Sequence, residues 1–229
     1  MSRTQKHILV IRLSAMGDVA MTVPVLRALI NQYPELKVSV LTRAFFKPFF
    51  RDLPNTTIIP AEVNGKHKGF YGLYKLGREL NFYKFHAIAD LHSVLRTKLL
   101  KQFVNCKQFI SIDKGRHEKH LLTSGKCFMP LKTTHQRYAD VFEALGYKLD
   151  LSNPKFPKPV VLNKKLQKLI EGEFKKVIGI APFATYQGKM YPLALMQEVV
   201  KTLSKDYKIL LSTPKYFEIS SINNNSFSL

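Results

Sequence analysis

Three short segments hold residue types whose order could do chemistry. The first is Ser14-Ala-Met-Gly-Asp18, where Met16 and Gly17 lead into Asp18 at the start of a helical pattern. Gly17 permits a close backbone turn, and spacing alone favours Asp18 as a cap that complements the helix dipole. The second is Asp90-Leu-His-Ser-Val-Leu-Arg96. Asp90, His92 and Arg96 can face one cleft, with His92 and Arg96 about one helical turn apart. A guanidinium there suits phosphate or carboxylate, and a capped helix with a surface Arg meets the spacing equally well. The third is Ala181-Pro-Phe-Ala-Thr-Tyr-Gln-Gly-Lys-Met-Tyr-Pro192. Thr185, Gly188 and Lys189 offer a hydroxyl, a flexible backbone and a cation near a helix start, the chemistry of a diphosphate site. A solvated loop with a surface Lys explains the same residues.

The elements around these segments read as strands alternating with helices. His7–Leu13 is a short apolar run rich in branched residues, a buried strand by pattern. From Val19 to Tyr33 apolar residues recur at helical spacing, with Pro34 as the stop and Pro24 tolerable only near the first turn. Lys37–Thr42 is the next strand, so strand, loop, helix and strand form a βαβ unit. Further strands are expected at Thr56–Ile59, Phe85–Asp90 and Gln108–Ile112. Helices are expected at Phe70–Leu80, about Ser93–Phe103 and about Thr134–Leu145, the last closed by Gly146. All three chemical segments then follow a strand, where an open parallel sheet binds its ligands.

Asp150–Pro159 carries three prolines near its end and reads as an extended linker. The expected division is therefore residues 1–150, a linker at 151–159, and a second α/β unit over 160–229. In that second unit a helix is expected at about Lys164–Glu171, a strand at Lys176–Ala181, a helix at Pro192–Leu203 and a strand at Tyr207–Leu211. Only 70 residues follow Pro159, fewer than the ~100–150 of an ordinary domain, so the second domain is expected to be incomplete. Ser212–Leu229, with five serines and three consecutive asparagines, has no helical period and reads as an unstructured or altered end.

Composition narrows the class. The chain has 229 residues, 45% hydrophobic and 23% charged, which excludes a mainly disordered protein. No apolar run approaches the ~18–20 residues of a membrane-spanning helix, and the N-terminal stretch is too short for a signal peptide, so a cytoplasmic location is expected. Thirty-six basic residues against 16 acidic give a net charge of +20. Nine of the Lys and Arg lie between Lys98 and Arg137 with only two acids, a surplus that favours polyanions without choosing among them. Cys106 and Cys127 make no disulfide framework, and without a C-x2-C pair they fit buried thiols better than a zinc site with His117 and His120. A single glycine after the first strand excludes the dinucleotide fingerprint, and no Walker loop is present.

Taken together, Ile8-Leu-Val-Ile-Arg-Leu-Ser-Ala-Met-Gly-Asp-Val19 through Pro24, Asp90–Thr97, and Pro182 through Lys189-Met-Tyr-Pro192 resemble glycosyltransferase family 9, the ADP-heptose:lipopolysaccharide heptosyltransferases. The resemblance covers residues 7 to about 211. It implies a GT-B-like α/β fold: a complete N-terminal Rossmann-like domain on the acceptor side and an incomplete C-terminal one on the nucleotide-sugar side. It further implies Asp18 as the base for an acceptor hydroxyl, with Met16, Gly17, Asp90, His92 and Arg96 around the acceptor. Thr185, Gly188 and Lys189 are implied as ligands of the donor diphosphate. The implied reaction is inverting transfer of heptose or a similar sugar from an ADP-sugar, with no metal and no other cofactor. The implied acceptor is a phosphorylated lipid-linked glycan, met peripherally at the inner membrane's anionic cytoplasmic face. The family's late glycine-rich segment and D-x-G-x-x-H-type motif are not found after Leu211, so a truncated chain that binds acceptor or polyanion without transfer is the alternative. A nucleic-acid module is suggested by charge alone, and no recognition motif supports it.

Overall fold

The computed structural model describes residues 5–157, 159–171, 176–184, 186–212 and 219–221. The chain divides into two compact units between Pro157 and Lys158.

The first unit is a five-stranded parallel sheet. Its elements are β1 (His7–Ile11), α1 (Met16–Ala20), α2 (Thr22–Gln32), β2 (Lys37–Thr42), β3 (Thr56–Pro60), α3 (Gly69–Asn81), β4 (Ala87–Asp90), α4 (Leu95–Lys101), β5 (Gln108–Ser111), α5 (Arg116–Thr123) and α6 (Thr134–Ala144). The strand order is β3-β2-β1-β4-β5, and each neighbouring pair runs parallel. The chain walks outward from β1 to β3, then crosses back to β4 and walks the other way. The order therefore reverses between β1 and β4, the position where doubly wound sheets open a crevice at their strands' carboxyl ends.

The period of two along each strand splits the core into two layers. Ile8 and Val10 of β1 join Val38, Val40, Ala87 and Ala89, and pack on Val25, Leu26 and Leu29 of α2 and Tyr138, Val141 and Phe142 of α6. Leu9 and Ile11 face the other way, with Leu41, Ile59 and Ile88, onto Leu76 and Leu80 of α3 and Leu100 of α4. Burying each such Leu or Ile contributes about 1.5–3 kcal/mol.

Several elements differ from the sequence expectation. The segment before Asp18 is shorter than a loop through residue 18, because α1 begins at Met16. The single helix expected from Val19 is broken at Met21. Pro24 has no N–H to give the Ala20 carbonyl, and Thr22 Oγ1 instead donates to Val19 O at 2.7 Å. A 3₁₀ helix at Ala44–Phe50, with Phe46 and Phe50 buried, was not expected. Neither was α5, which buries no residue and so has no apolar stripe to read. Gly146 does end the α6 region in a left-handed conformation, with φ 90°.

The second unit contains α7 (Lys164–Ile170), β6 (Val177–Ile180), α8 (Leu193–Leu203), β7 (Lys208–Ser212) and β8 (Ile219–Ser221). Asn163 caps α7 by accepting from Leu166 N at 2.9 Å. β6 and β7 pair parallel, and β8 adds to β7 antiparallel. Val200, Ile209 and Leu211 form its core with Ile178, Ile180 and Met196 alongside. The expectation of an irregular tail after Leu211 is thus corrected at 219–221, and most of that tail lies outside the described residues. Among the described residues no helix is long and apolar enough to cross a membrane.

Candidate functional site

β1 and β4 lie side by side, with Ile11 opposite Asp90, so both following loops open at the same edge. Arg12 leaves β1 nearly buried, at 7% exposure. Its Nη1 donates to Leu91 O at 2.6 Å, just past β4. Its Nη2 pairs with Asp18 Oδ2 at 2.5 Å. The two loops are therefore tied through one guanidinium, in the fork geometry that Lys cannot supply.

Asp18 is the third residue of α1, and its side chain is half exposed. Oδ2 also accepts from Ala15 N at 3.3 Å, closing the first turn, so the capping role is realised. Oδ1 makes no hydrogen bond or ion pair among the described residues. From below, the buried Tyr138 hydroxyl donates to Asp18 O at 3.2 Å. Met16 is 45% exposed beside it. Gly17 is helical rather than left-handed, and a Cβ there would meet no heavy atom within 4 Å.

Asp90 is fully buried and spends its carboxylate on the turn. Oδ1 accepts from His92 N and Ser93 N, both at 3.0 Å, and Oδ2 accepts from Ser111 Oγ at 3.1 Å. It positions His92 rather than reaching the opening. His92 is 8% exposed, its Nε2 lies 3.3 Å from Ser14 Oγ, and its Nδ1 is buried without a partner among the described residues. Burial first, then the Arg12 charge, lowers its pKa to about 4, so the ring is neutral at pH 7. Lys114, on the loop after β5, is also pushed down, by burial and then by Arg12 and Arg116.

Arg96 does not join this group in the way its spacing suggested. Ser93 turns the chain with φ 45°, and α4 starts only at Leu95, so His92 lies outside the helix and the one-turn relation is absent. Arg96 makes no side-chain hydrogen bond or ion pair among the described residues. In the second unit, Gly188 and Lys189 form a short 3₁₀ turn after Tyr186. Lys189 Nζ stands 5.5 Å from the Tyr186 ring centroid, and nothing crowds Gly188. Thr185 lies outside the described residues. Among the described residues no group of three His, Cys, Asp or Glu could hold a metal ion. Cys106 instead packs on the second core layer, its Sγ 3.5 Å from Phe85 O. A cavity of about 430 Å³ lies elsewhere, between α2 and segment 150–156, and includes none of these residues.

Sequence reading missed Arg12, Lys114, Arg116 and Tyr138. Arg12 had a signal, a charge set inside an apolar strand run, which buried chains keep only when it is paired. Lys114 and Arg116 follow a strand and were open to the rule that picked Asp18. Tyr138 is 120 residues from Asp18 and has no local signal.

The order reversal and the parallel sheet define a doubly wound α/β protein with a carboxylate at its crevice, and comparison with solved structures narrows the fold to a GT-B-like one. No family model matches the chain. A lipopolysaccharide core heptosyltransferase, OpsX of Haemophilus influenzae, is 25% identical over 111 residues, 48% of this chain and 31% of that protein. A glycosyltransferase family 9 structure from Veillonella parvula superposes with a TM-score of 0.72 and 21% identity, over 92% of this chain and 64% of that one. The E. coli ADP-heptose lipopolysaccharide heptosyltransferase II gives 0.59 and 21%, over 90% and 63%. E. coli heptosyltransferase WaaC with ADP gives 0.61 and 17%, over 90% and 66%. The chain thus spans less than two thirds of the length of each of these three structures. The resemblance to glycosyltransferase family 9 is borne out as a likeness: the chain is similar in sequence to a heptosyltransferase over part of its length, and similar in fold to a glycosyltransferase family 9 structure and two heptosyltransferase structures.

Proposed function

We propose that the chain serves an inverting glycosyltransferase that moves heptose or a similar sugar from an ADP-sugar to a lipopolysaccharide-core or related envelope glycan. The observation that carries this reading is Asp18 at the crevice, one oxygen held by Arg12 and the other without a partner among the described residues. Oδ1 accepts the proton of an acceptor hydroxyl while that hydroxyl's oxygen bonds to the anomeric carbon. The bond from that carbon to the diphosphate breaks on the opposite side, ADP departs, and the configuration inverts. A carboxylate is a weak base, so the proton moves late, as the new C–O bond forms. Neutral His92 and Ser14 offer hydrogen bonds to sugar hydroxyls without adding charge. Thr185, Gly188 and Lys189 take the donor diphosphate and balance the leaving group's charge. The acceptor is phosphorylated and lipid-linked, and the chain meets it at an anionic membrane surface without spanning it.

The test is ADP release by the purified chain with ADP-heptose and a heptose-deficient core acceptor. Wild type is expected to turn over, and Asp18→Asn to lose about 10²–10⁴-fold in rate with the fold retained, though melting falls somewhat because Arg12 loses its charged partner. Wild-type-like turnover by Asp18→Asn removes Asp18 as base. No ADP release with any of several acceptors, alongside acceptor binding in calorimetry, favours the alternative of a chain that binds without transferring.

A further inference from the structure

On α3 the inner face holds Gly72, Leu73, Leu76, Gly77 and Leu80, all buried. The outer face carries Tyr71, Tyr74, Lys75, Arg78 and, just past the helix end, Phe82. These recur at i, i+3, i+4, i+7 and i+11, so they form one stripe. Exposure there is high: Tyr71 78%, Phe82 82%, and Phe70 beside them 66%. Exposed aromatics gathered on one face mark a contact surface rather than scattered surface residues.

The chemistry of the stripe selects the partner. Lys75 and Arg78 make no ion pair among the described residues, whereas Glu79, the only acid on α3, is turned to Lys66 and His67 at 3.6 and 3.2 Å. The stripe is therefore aromatic and cationic with no acid in it, on a chain of net charge +20. Tyr and Phe rings with Lys and Arg on one rigid helix suit the headgroup region of a bilayer, where rings enter the boundary and cations meet lipid phosphates. The platform is stiff, since Phe103 braces Phe70 and Tyr74 edge-on at 5.2 and 5.7 Å between centroids.

We infer that the α3 stripe is a docking surface for an anionic phospholipid bilayer. It gives a surface to the membrane contact in the functional reading above, yet it is tested with neither donor nor acceptor present, so the two can fail separately. The chain contains no tryptophan, so Tyr71→Trp is a clean reporter. Its emission is expected to shift blue on vesicles of phosphatidylcholine with phosphatidylglycerol, and not on phosphatidylcholine alone. In co-sedimentation, Lys75→Glu with Arg78→Glu is expected to weaken binding about tenfold or more, and Tyr71→Ser with Phe82→Ser to weaken it as well. Both pairs are exposed, so melting should not change. The control is Lys201→Glu with Lys205→Glu, an equal charge change on the exposed second unit. An equal loss from that control means diffuse attraction by net charge and overturns the assignment. So does the absence of a blue shift, or a concentration-dependent dimer that Tyr71→Ser with Phe82→Ser dissolves.

Discussion

Arg137 and Tyr138 are neighbours on α6, and each holds a different helix that follows a strand of the sheet. The Tyr138 hydroxyl reaches Asp18 O at 3.2 Å, and the Arg137 Nη2 reaches Glu118 Oε2 at 2.5 Å. Both side chains are almost fully buried, so one turn of helix fixes α1 and the start of α5 in the same frame. Lys114 lies just before α5 and Arg116 begins it. The geometry of the cation group around Arg12 therefore depends on a helix that contributes no charge of its own to the opening.

Gly115 is where this frame is most easily broken. It sits at φ 58°, and a Cβ there would run into the Arg137 guanidinium. Gly115→Ala is expected to cost about 2–4 kcal/mol, from left-handed strain plus loss of the buried Arg137–Glu118 pair. A denaturant midpoint close to wild type would show that the loop relaxes freely and that Arg137 does not set it.

Arg12 acts through Asp18 and is a positioning residue. Arg12→Ala removes the donors to Leu91 O and Asp18 and is expected to destabilise by about 2–3 kcal/mol. Turnover should fall through kcat with KM little changed, because the carboxylate loses its orientation rather than the substrate its contacts. Arg12→Lys keeps the charge but not the fork, and should recover stability more than kcat. Equal losses in kcat and binding for both variants would make Arg12 a substrate ligand instead.

The sheet was legible because its evidence is local. β2 was bounded at Lys37–Thr42 by a branched apolar run, and α3 by Leu73, Leu76 and Leu80 on one side. The strand-end rule located Asp18 and His92 without knowledge of the strand order. What escaped had no periodicity, as in α5, or depended on tertiary partners. Arg96 looked like part of a cleft because helical spacing was assumed from Ser93, and the left-handed turn at Ser93 delays the helix. Asp90 looked like a ligand, yet its three hydrogen bonds to His92, Ser93 and Ser111 follow from burial that spacing does not reveal.

The seat of α3 sets propensity against packing. Gly77→Ala gains about 1 kcal/mol of helix propensity. In the fold, however, a Cβ at Gly77 would come 2.5 Å from Phe103 Cβ and 3.0 Å from Phe103 O, a backbone atom that cannot step aside. Packing is expected to win, with net destabilisation of about 1–3 kcal/mol. A rise in melting temperature would mean that the Phe103 segment yields to the added methyl and does not fix the seat of α3.

His92 makes stability depend on pH in a direction that can be worked out. Its folded pKa, about 4, lies below the ordinary 6.5 of a free histidine, chiefly from burial and then from Arg12. Between those values the unfolded chain binds a proton that the folded chain refuses, so stability rises with pH across that interval. The contribution is complete above pH 6.5 and is lost as pH falls toward 4, a change of about 2–3 kcal/mol. His7, lowered by burial and Lys37, adds to the same trend. Carboxylates titrate nearby, so the informative quantity is the difference between wild type and His92→Gln. That difference should shrink in favour of the variant as pH is lowered from 7 to 4.5, read from denaturant midpoints. A difference that stays constant with pH would mean His92 titrates alike in both states, and with it would go the neutral imidazole assigned beside Asp18.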